Sequence, residues 1–246
     1  MSIFVGLDLG QSQDYTALAI IEKTPTPDGS YTKDLKKLQR FELGTSYAEI
    51  VERIGKLMQR QEISFRCPKC GGITYSSSER MPGVQDRRCN GGPKGEPCDF
   101  AWTSPDDEQY LNPPTLIVDA TGVGAPVIDY FKKAGIYPKA IKIHGGEKST
   151  SQGNEYHVPK RDLVAALQVD FQAGHLKIAD SSHPGERKLL EKFEQELMNF
   201  KMKISQSGHD SYESMREGIH DDLVVSVAMA SWYIKFHSRE YRAYWV

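Results

Sequence analysis

Two short apolar runs each carry a carboxylate where a buried strand can least tolerate one. "FVGLDLG" (4–10) holds Asp8 in its middle, and "LIVDATGVG" (116–124) ends its apolar run on Asp119 and then turns at a Gly-rich corner. An ionised carboxylate in a core is costly unless donors or a cation sit beside it. Either each Asp makes a local hydrogen-bonded turn, or a cation belongs there. A third acidic feature, "HDDLVVSVAMA" (220–230), sets Asp221 and Asp222 at the start of an otherwise apolar helix. Leu223, Val224, Val227 and Met229 are expected to face a sheet. Adjacent helical residues point about 100° apart, so one acid of the pair faces inward more easily than the other.

The intervening sequence reads as an α/β chain. Residues 3–9 and 16–23 are strand-like and joined by turn chemistry in "GQSQDY". "TPTPDGSYTKD" (24–34) reads as a hairpin-like loop and residues 36–43 as a third strand. "TSYAEIVERIGKLMQR" (45–60) has apolar residues at helical spacing, with Thr45 or Ser46 as cap and Glu49 three residues after Ser46. After residue 114 the pattern alternates: strand 115–120, helix 122–135, strand 138–145, helix 160–174, short strand 175–179 and charged helix 184–200. "KMKIS" (201–205) is expected as an edge strand or hairpin arm, and residues 220–236 as the closing helix. The predicted architecture is a mixed sheet flanked by helices, antiparallel in its first hairpins and parallel through the later crossovers.

In open α/β sheets ligands gather beyond the carboxyl ends of strands. Asp8, Asp119, Asp221 and Asp222 would then form a cluster from two strand ends and a helix start. Clustered carboxylates repel, and hard Mg²⁺ or Mn²⁺ ions prefer such oxygen ligands. Two ions about 3.5–4 Å apart support in-line phosphodiester cleavage. The competing reading makes Asp221 an ordinary helix cap and the strand-end acids turn formers. His220 adjoins the pair and can support it. Lys160 and Arg161 open a helix and can touch a phosphate or simply be solvated. His144, His157, His175 and His209 read as surface or hydrogen-bonded residues.

"FVGLDLGQSQDYTALAII", "LIVDATGVGAPVIDYFKKAG" and "HDDLVVSVAMASWY" resemble the nuclease domain of bacteriophage terminase large subunits, a ribonuclease H-like fold. The resemblance covers the chain outside about 65–113. It implies Asp8, Asp119, Asp221 and Asp222 as catalytic ligands of Mg²⁺ or Mn²⁺, with Asp14 as an assisting acid. It implies an endonuclease of phage or prophage origin that cuts concatemeric double-stranded viral DNA in the cytoplasm of a bacterial host. The partners it implies are a separate terminase ATPase, a small terminase subunit or a portal protein. The chain carries no GxxxxGK[ST] phosphate loop and starts directly on its first strand. A stand-alone nuclease, a separately encoded half or an excised domain is therefore expected. Three other readings compete. In an actin-like or sugar-kinase-type ATP-binding domain, "GLDLGQS" and "VDATGVG" would be phosphate loops, but the Asp221–Asp222 pair would have no role. A Holliday-junction resolvase is a nearer neighbour among nucleases, and a non-catalytic DNA-binding or assembly protein that kept the fold would not need the acids.

All four cysteines, Cys67, Cys70, Cys89 and Cys98, fall within 65–113, a stretch rich in Gly, Pro and Ser. It reads as an insertion into a domain made of 1–64 and 114–246. The N-terminus lacks a signal-peptide pattern and no apolar run approaches about 18 residues, so a cytoplasmic chain without a membrane span is expected. Clustered cysteines there read as metal ligands before disulfides. "CPKC" is a zinc knuckle, and 18 residues separate Cys70 from Cys89, within zinc-ribbon range. The eight residues between Cys89 and Cys98 exceed the usual two to four. The expectation is one structural Zn²⁺ on four thiolates. With a net charge of -2, DNA contact must come from a local basic patch. Arg66, Lys69, Arg80, Arg87, Arg88 and Lys94 make the insertion a candidate.

Overall fold

The computed structural model describes residues 2–10, 14–26, 28–59, 63–66, 69, 73–76, 87–88, 98, 101–102, 114–122, 124–178, 183–206 and 220–237. The chain opens with strands β1 (Ser2–Asp8), β2 (Ala17–Pro25) and β3 (Tyr31–Arg40) and helix α1 (Tyr47–Gln59). Four short strands follow: β4 (Ile63–Arg66), β5 (Ile73–Ser76), β6 (Arg87–Arg88) and β7 (Ala101–Trp102). Then come β8 (Thr115–Asp119), α2 (Gly124–Lys133), β9 (Lys139–His144), β10 (Thr150–Gln152), β11 (Glu155–Pro159) and α3 (Lys160–Gln172). β12 (Leu176–Ile178), α4 (Pro184–Gln206) and α5 (Asp222–His237) complete the order.

Eight strands form one sheet in the order β10-β11-β9-β8-β1-β2-β3-β12. β2 runs antiparallel to β1 and β3, while β8 is parallel to β1 and β9 to β8. The central five strands, with β2 alone reversed, make the ribonuclease H-like mixed sheet. Two antiparallel pairs, β4 with β5 and β6 with β7, form separate small sheets between α1 and β8.

Strand alternation sorts the sheet into two faces. Val5, Leu7, Leu18 and Val118 pack against Ile50 and Ile54 of α1 and Val127 and Phe131 of α2. Phe4, Ala17, Ala19, Ile117 and Ile141 pack on the opposite face against α3, α5 and Phe193 of α4. With helices on both faces, β1 and β8 need apolar residues at nearly every position, which explains their continuous runs. α5 is buried from Asp222 to Ile234, so it carries no polar stripe. Among the described residues no helix is long and apolar enough to cross a membrane.

Ser46 caps α1 as expected: its Oγ accepts the Glu49 amide at 3.2 Å. Three elements depart from the sequence reading. β3 begins at Tyr31, inside the expected loop. Its start is masked by Lys33, which is fully buried yet ion-paired to Asp170 at 2.5 Å. The register between β2 and β3 also slips between Ile20 and Ile21, so no simple alternation runs through β3. Residues 201–205 continue α4 to Gln206 and form no edge strand. No Gly or Pro interrupts "NFKMKISQ", and Lys and Met are good helix formers. The β10–β11 hairpin was hidden in a polar segment; Gly153, at φ 61°, opens its two-residue Gly-Asn turn.

Candidate active site

Alternation along β1 turns Phe4, Gly6 and Asp8 toward α5. Asp8 stands opposite Ala17, and Ala17 opposite Arg40. Residues opposed across a ladder share a face. On the other side Leu7 is level with Val118 in the parallel β1–β8 pair, so Asp8 and Asp119 follow at the same height. A row of Asp119, Asp8, Ala17 and Arg40 therefore crosses one end of the sheet.

α5 lies along this face in a matched register. A Cβ on Gly6 would meet the Ser226 carbonyl oxygen at 2.0 Å and Ala230 Cβ at 3.2 Å, so the helix backbone rests directly on the strand. One level away, the Phe4 and Tyr233 rings lie 6.3 Å apart. Two strand residues advance about 6.6 Å and four helical residues about 6 Å. The same stepping in the other direction brings the first residues of α5 to the level of Asp8.

The acids respond to this crowding. Burial, followed by the charges of Asp119, Asp221 and Asp222, pushes the Asp8 carboxyl well above its ordinary pKa, while Lys160 pulls it down. Burial likewise raises Asp119, against hydrogen bonds from Thr121; the Thr121 amide donates to Asp119 Oδ1 at 2.7 Å. Asp222 is raised by burial and held down by Arg40. The Arg40 guanidinium grips Asp222 with two bonds, Nε to Oδ2 and Nη2 to Oδ1, both 2.8 Å. Arg40 Nη2 also donates to Glu196. The other oxygen of Glu196 accepts the amides of Leu223 at 3.0 Å and Val224 at 3.3 Å, capping the first turn of α5 from α4. Burial and the Asp222 charge push Glu196 up to about 7. The Asp221 carboxylate accepts a bond from Lys160 Nζ at 2.9 Å.

The structure thus brings Asp8, Asp119, Asp221 and Asp222 to one sheet end and adds Lys160. His220 is half-buried beside them, its ring edge-on to Tyr15 at 5.1 Å. Tyr15 in turn carries Arg40 over its face at 4.7 Å. Asp14 is exposed. Arg161 turns away and donates to the Glu147 carbonyl at 2.6 Å. Cys67, Cys70 and Cys89 lie outside the described residues, while Cys98 is described and half-buried. The sequence reading missed Arg40 and Glu196. Glu196 had a signal: it stands three residues after buried Phe193, on the apolar face of its helix. Arg40 had none, because its place depends on the β2–β3 register.

The donors are all carboxylate oxygens, which suit Mg²⁺ or Mn²⁺. Among the described residues, no three His, Cys, Asp or Glu side chains are poised to hold an ion as they lie. The side chains explain this: Arg40 occupies Asp222, Lys160 holds Asp221, and Thr121 draws one oxygen of Asp119. The charge balance still fits a divalent cation. Among the described residues, five carboxylates, counting Glu196, gather around Arg40 and Lys160, and burial raises the pKa of four of them.

No family model matches this chain, and no curated protein matches it by sequence. Among solved structures it is similar to the large terminase nuclease from thermophilic phage G20c. The identity is 13% and the TM-score 0.40, over 93% of this chain and 80% of that one. It is also similar to the human cytomegalovirus terminase nuclease domain, Mn soaked and inhibitor bound. There the identity is 14% and the TM-score 0.46, over 94% of this chain and 82% of the other. The likeness is one of fold.

Proposed function

We propose that the protein is a divalent-metal-dependent endonuclease acting on double-stranded DNA. The observation that carries this reading is the meeting of Asp8, Asp119 and the Asp221–Asp222 pair at one end of the sheet, with Asp8 half-buried among like charges. Mg²⁺ or Mn²⁺, when bound, would activate the attacking water and stabilise the leaving oxygen of a phosphodiester. Asp8, Asp119 and Asp221 would hold it. Lys160, once Asp221 turns to a cation, is placed to pair with a phosphate oxygen. Cutting concatemeric DNA for packaging, alongside a separate ATPase, a small terminase subunit or a portal protein, follows from the sequence resemblance and belongs to the same proposal.

The proposal includes one structural Zn²⁺ on Cys67, Cys70, Cys89 and Cys98. What supports it is the placement of the pairs: Cys67 and Cys70 fall between paired strands β4 and β5, and Cys89 and Cys98 between paired β6 and β7. Two cysteine pairs, each lying in sequence between the strands of an antiparallel pair, suit a closed four-thiolate site.

The test of the nuclease is a plasmid-nicking assay with Mg²⁺ and Mn²⁺. Wild-type protein should nick supercoiled plasmid, and Asp8→Asn should not. Cleavage persisting in excess EDTA would overturn the metal-dependent reading.

A further inference from the structure

We propose that the two adjacent acids of α5 have separate jobs: Asp221 is the metal ligand, and Asp222 is a positioning residue that Arg40 and Glu196 keep off the metal. This rests on the metal-nuclease reading above and assigns roles within it.

The two carboxylates are held in opposite ways. Both oxygens of Asp222 are taken by the planar fork of Arg40, in a pair whose side chains are only 11% and 8% exposed. A bidentate guanidinium–carboxylate pair fixes direction as well as charge. Glu196 reinforces it twice, by sharing the guanidinium and by binding the Leu223 and Val224 amides that follow Asp222 in the chain. Small, buried Ala17 stands between Asp8 and Arg40 in the row, leaving Arg40 room to reach Asp222. Asp222 is therefore neutralised internally, and a divalent ion approaching it meets the Arg40 cation. The Asp221 carboxylate is held instead by a lysine ammonium, on a flexible stem with no fork. That contact can be exchanged for a metal with the bonds among Arg40, Asp222 and Glu196 left intact.

The role of Arg40 follows. It holds Asp222 to β3 and keeps a positive charge beside the acids, while the close seating of α5 on Gly6 sets the height at which Asp221 meets Asp8 and Asp119. Removing Arg40 would release a second carboxylate and take away a nearby positive charge, so metal binding should tighten. A purely structural arginine would give the opposite result.

The test measures Mn²⁺ binding to the metal-free full chain by calorimetry and by Mn²⁺ electron paramagnetic resonance. Asp221→Asn should weaken binding by about tenfold or more, through loss of a charged ligand, whereas Asp222→Asn, which keeps an oxygen acceptor for Arg40, should leave it within a factor of about three and lower the melting temperature. Arg40→Gln should tighten binding, and adding Asp222→Asn to it should return the affinity to the wild-type value. The assignment is overturned if Asp222→Asn weakens Mn²⁺ as much as Asp221→Asn does, or if Arg40→Gln weakens it. Should Arg40→Gln not fold, the two Asp variants alone decide. Failure of wild-type protein to bind Mn²⁺ would overturn the nuclease reading and this assignment together; Mn²⁺ binding that depends on Asp222 would overturn this assignment alone.

Discussion

Gly6→Ala tests whether the seating of α5 on β1 sets the active site. The new methyl would sit 2.0 Å from the Ser226 carbonyl oxygen, against a floor near 3.0 Å for real Cβ contacts. The obstacle is helix backbone, which no rotamer change can move, so α5 must retreat by about 1 Å in a close-packed interior. Overpacking of this kind costs about 1–3 kcal/mol. At roughly 2–4 °C per kcal/mol for a chain of this size, the melting temperature should fall by about 2–12 °C. The same displacement carries Asp221 and Asp222 away from Asp8, and a misplacement of about 1 Å can cost on the order of 100-fold in rate. Gly55→Ala in α1 is the control. Its nearest contact is Ile136 Cδ1 at 3.7 Å, so a methyl fits there. It should raise stability by about 0.5–1 kcal/mol through helix propensity and leave cleavage unchanged. Thermal melts with plasmid nicking in Mn²⁺ read both effects. Wild-type stability and wild-type cleavage in Gly6→Ala would refute the reasoning.

Other outcomes follow from the buried charges. Asp8, Asp119, Asp222 and Glu196 all have folded-state pKa values above their ordinary ones, Glu196 at about 7 against 4.5. Between the ordinary and raised values the folded chain binds more protons than the unfolded one, so metal-free stability falls as pH rises through that window. The metal-free melting temperature should be higher at pH 5.5 than at pH 7.5, and Mn²⁺ at pH 7.5 should narrow the gap; a metal-free protein that melts higher at pH 7.5 would contradict this. Asp170→Asn would leave the Lys33 ammonium buried without its counterion, at a cost of about 3–5 kcal/mol. The Lys33→Met, Asp170→Leu double variant should recover most of that loss in denaturant melts. Elemental analysis of protein purified without a metal-affinity step should find one zinc per chain, and four titratable thiols without zinc would exclude the site.

The strand–helix order and the acids were legible because each left a local contradiction. A carboxylate inside an apolar run has to be explained, and Asp8, Asp119, Asp221 and Asp222 all stood out this way. What escaped depended on contacts across the fold. Arg40 becomes part of the site only through its pairing with Ala17, and that register follows a slip at Ile20/Ile21 that no local pattern announces. Lys33 disguised the start of β3 because its partner, Asp170, lies on α3. The extension of α4 was misjudged for a different reason: a short alternation of Lys with Met and Ile fits a strand and a helix equally well.

The burial of α5 from Asp222 to Ile234 also ties the acids to the slowest motions of the molecule. The helix that presents Asp221 and Asp222 fills the center of the larger core, against Phe4, Ile117, Ile141, Leu163 and Phe193. Its buried turns cannot swing out without exposing that core, so their amides should exchange with solvent only through global unfolding. Many binding sites are made from the loosely held parts of a fold. Here the acid pair belongs to the last unit to open, and a chain whose core has not yet closed cannot bring its carboxylates together.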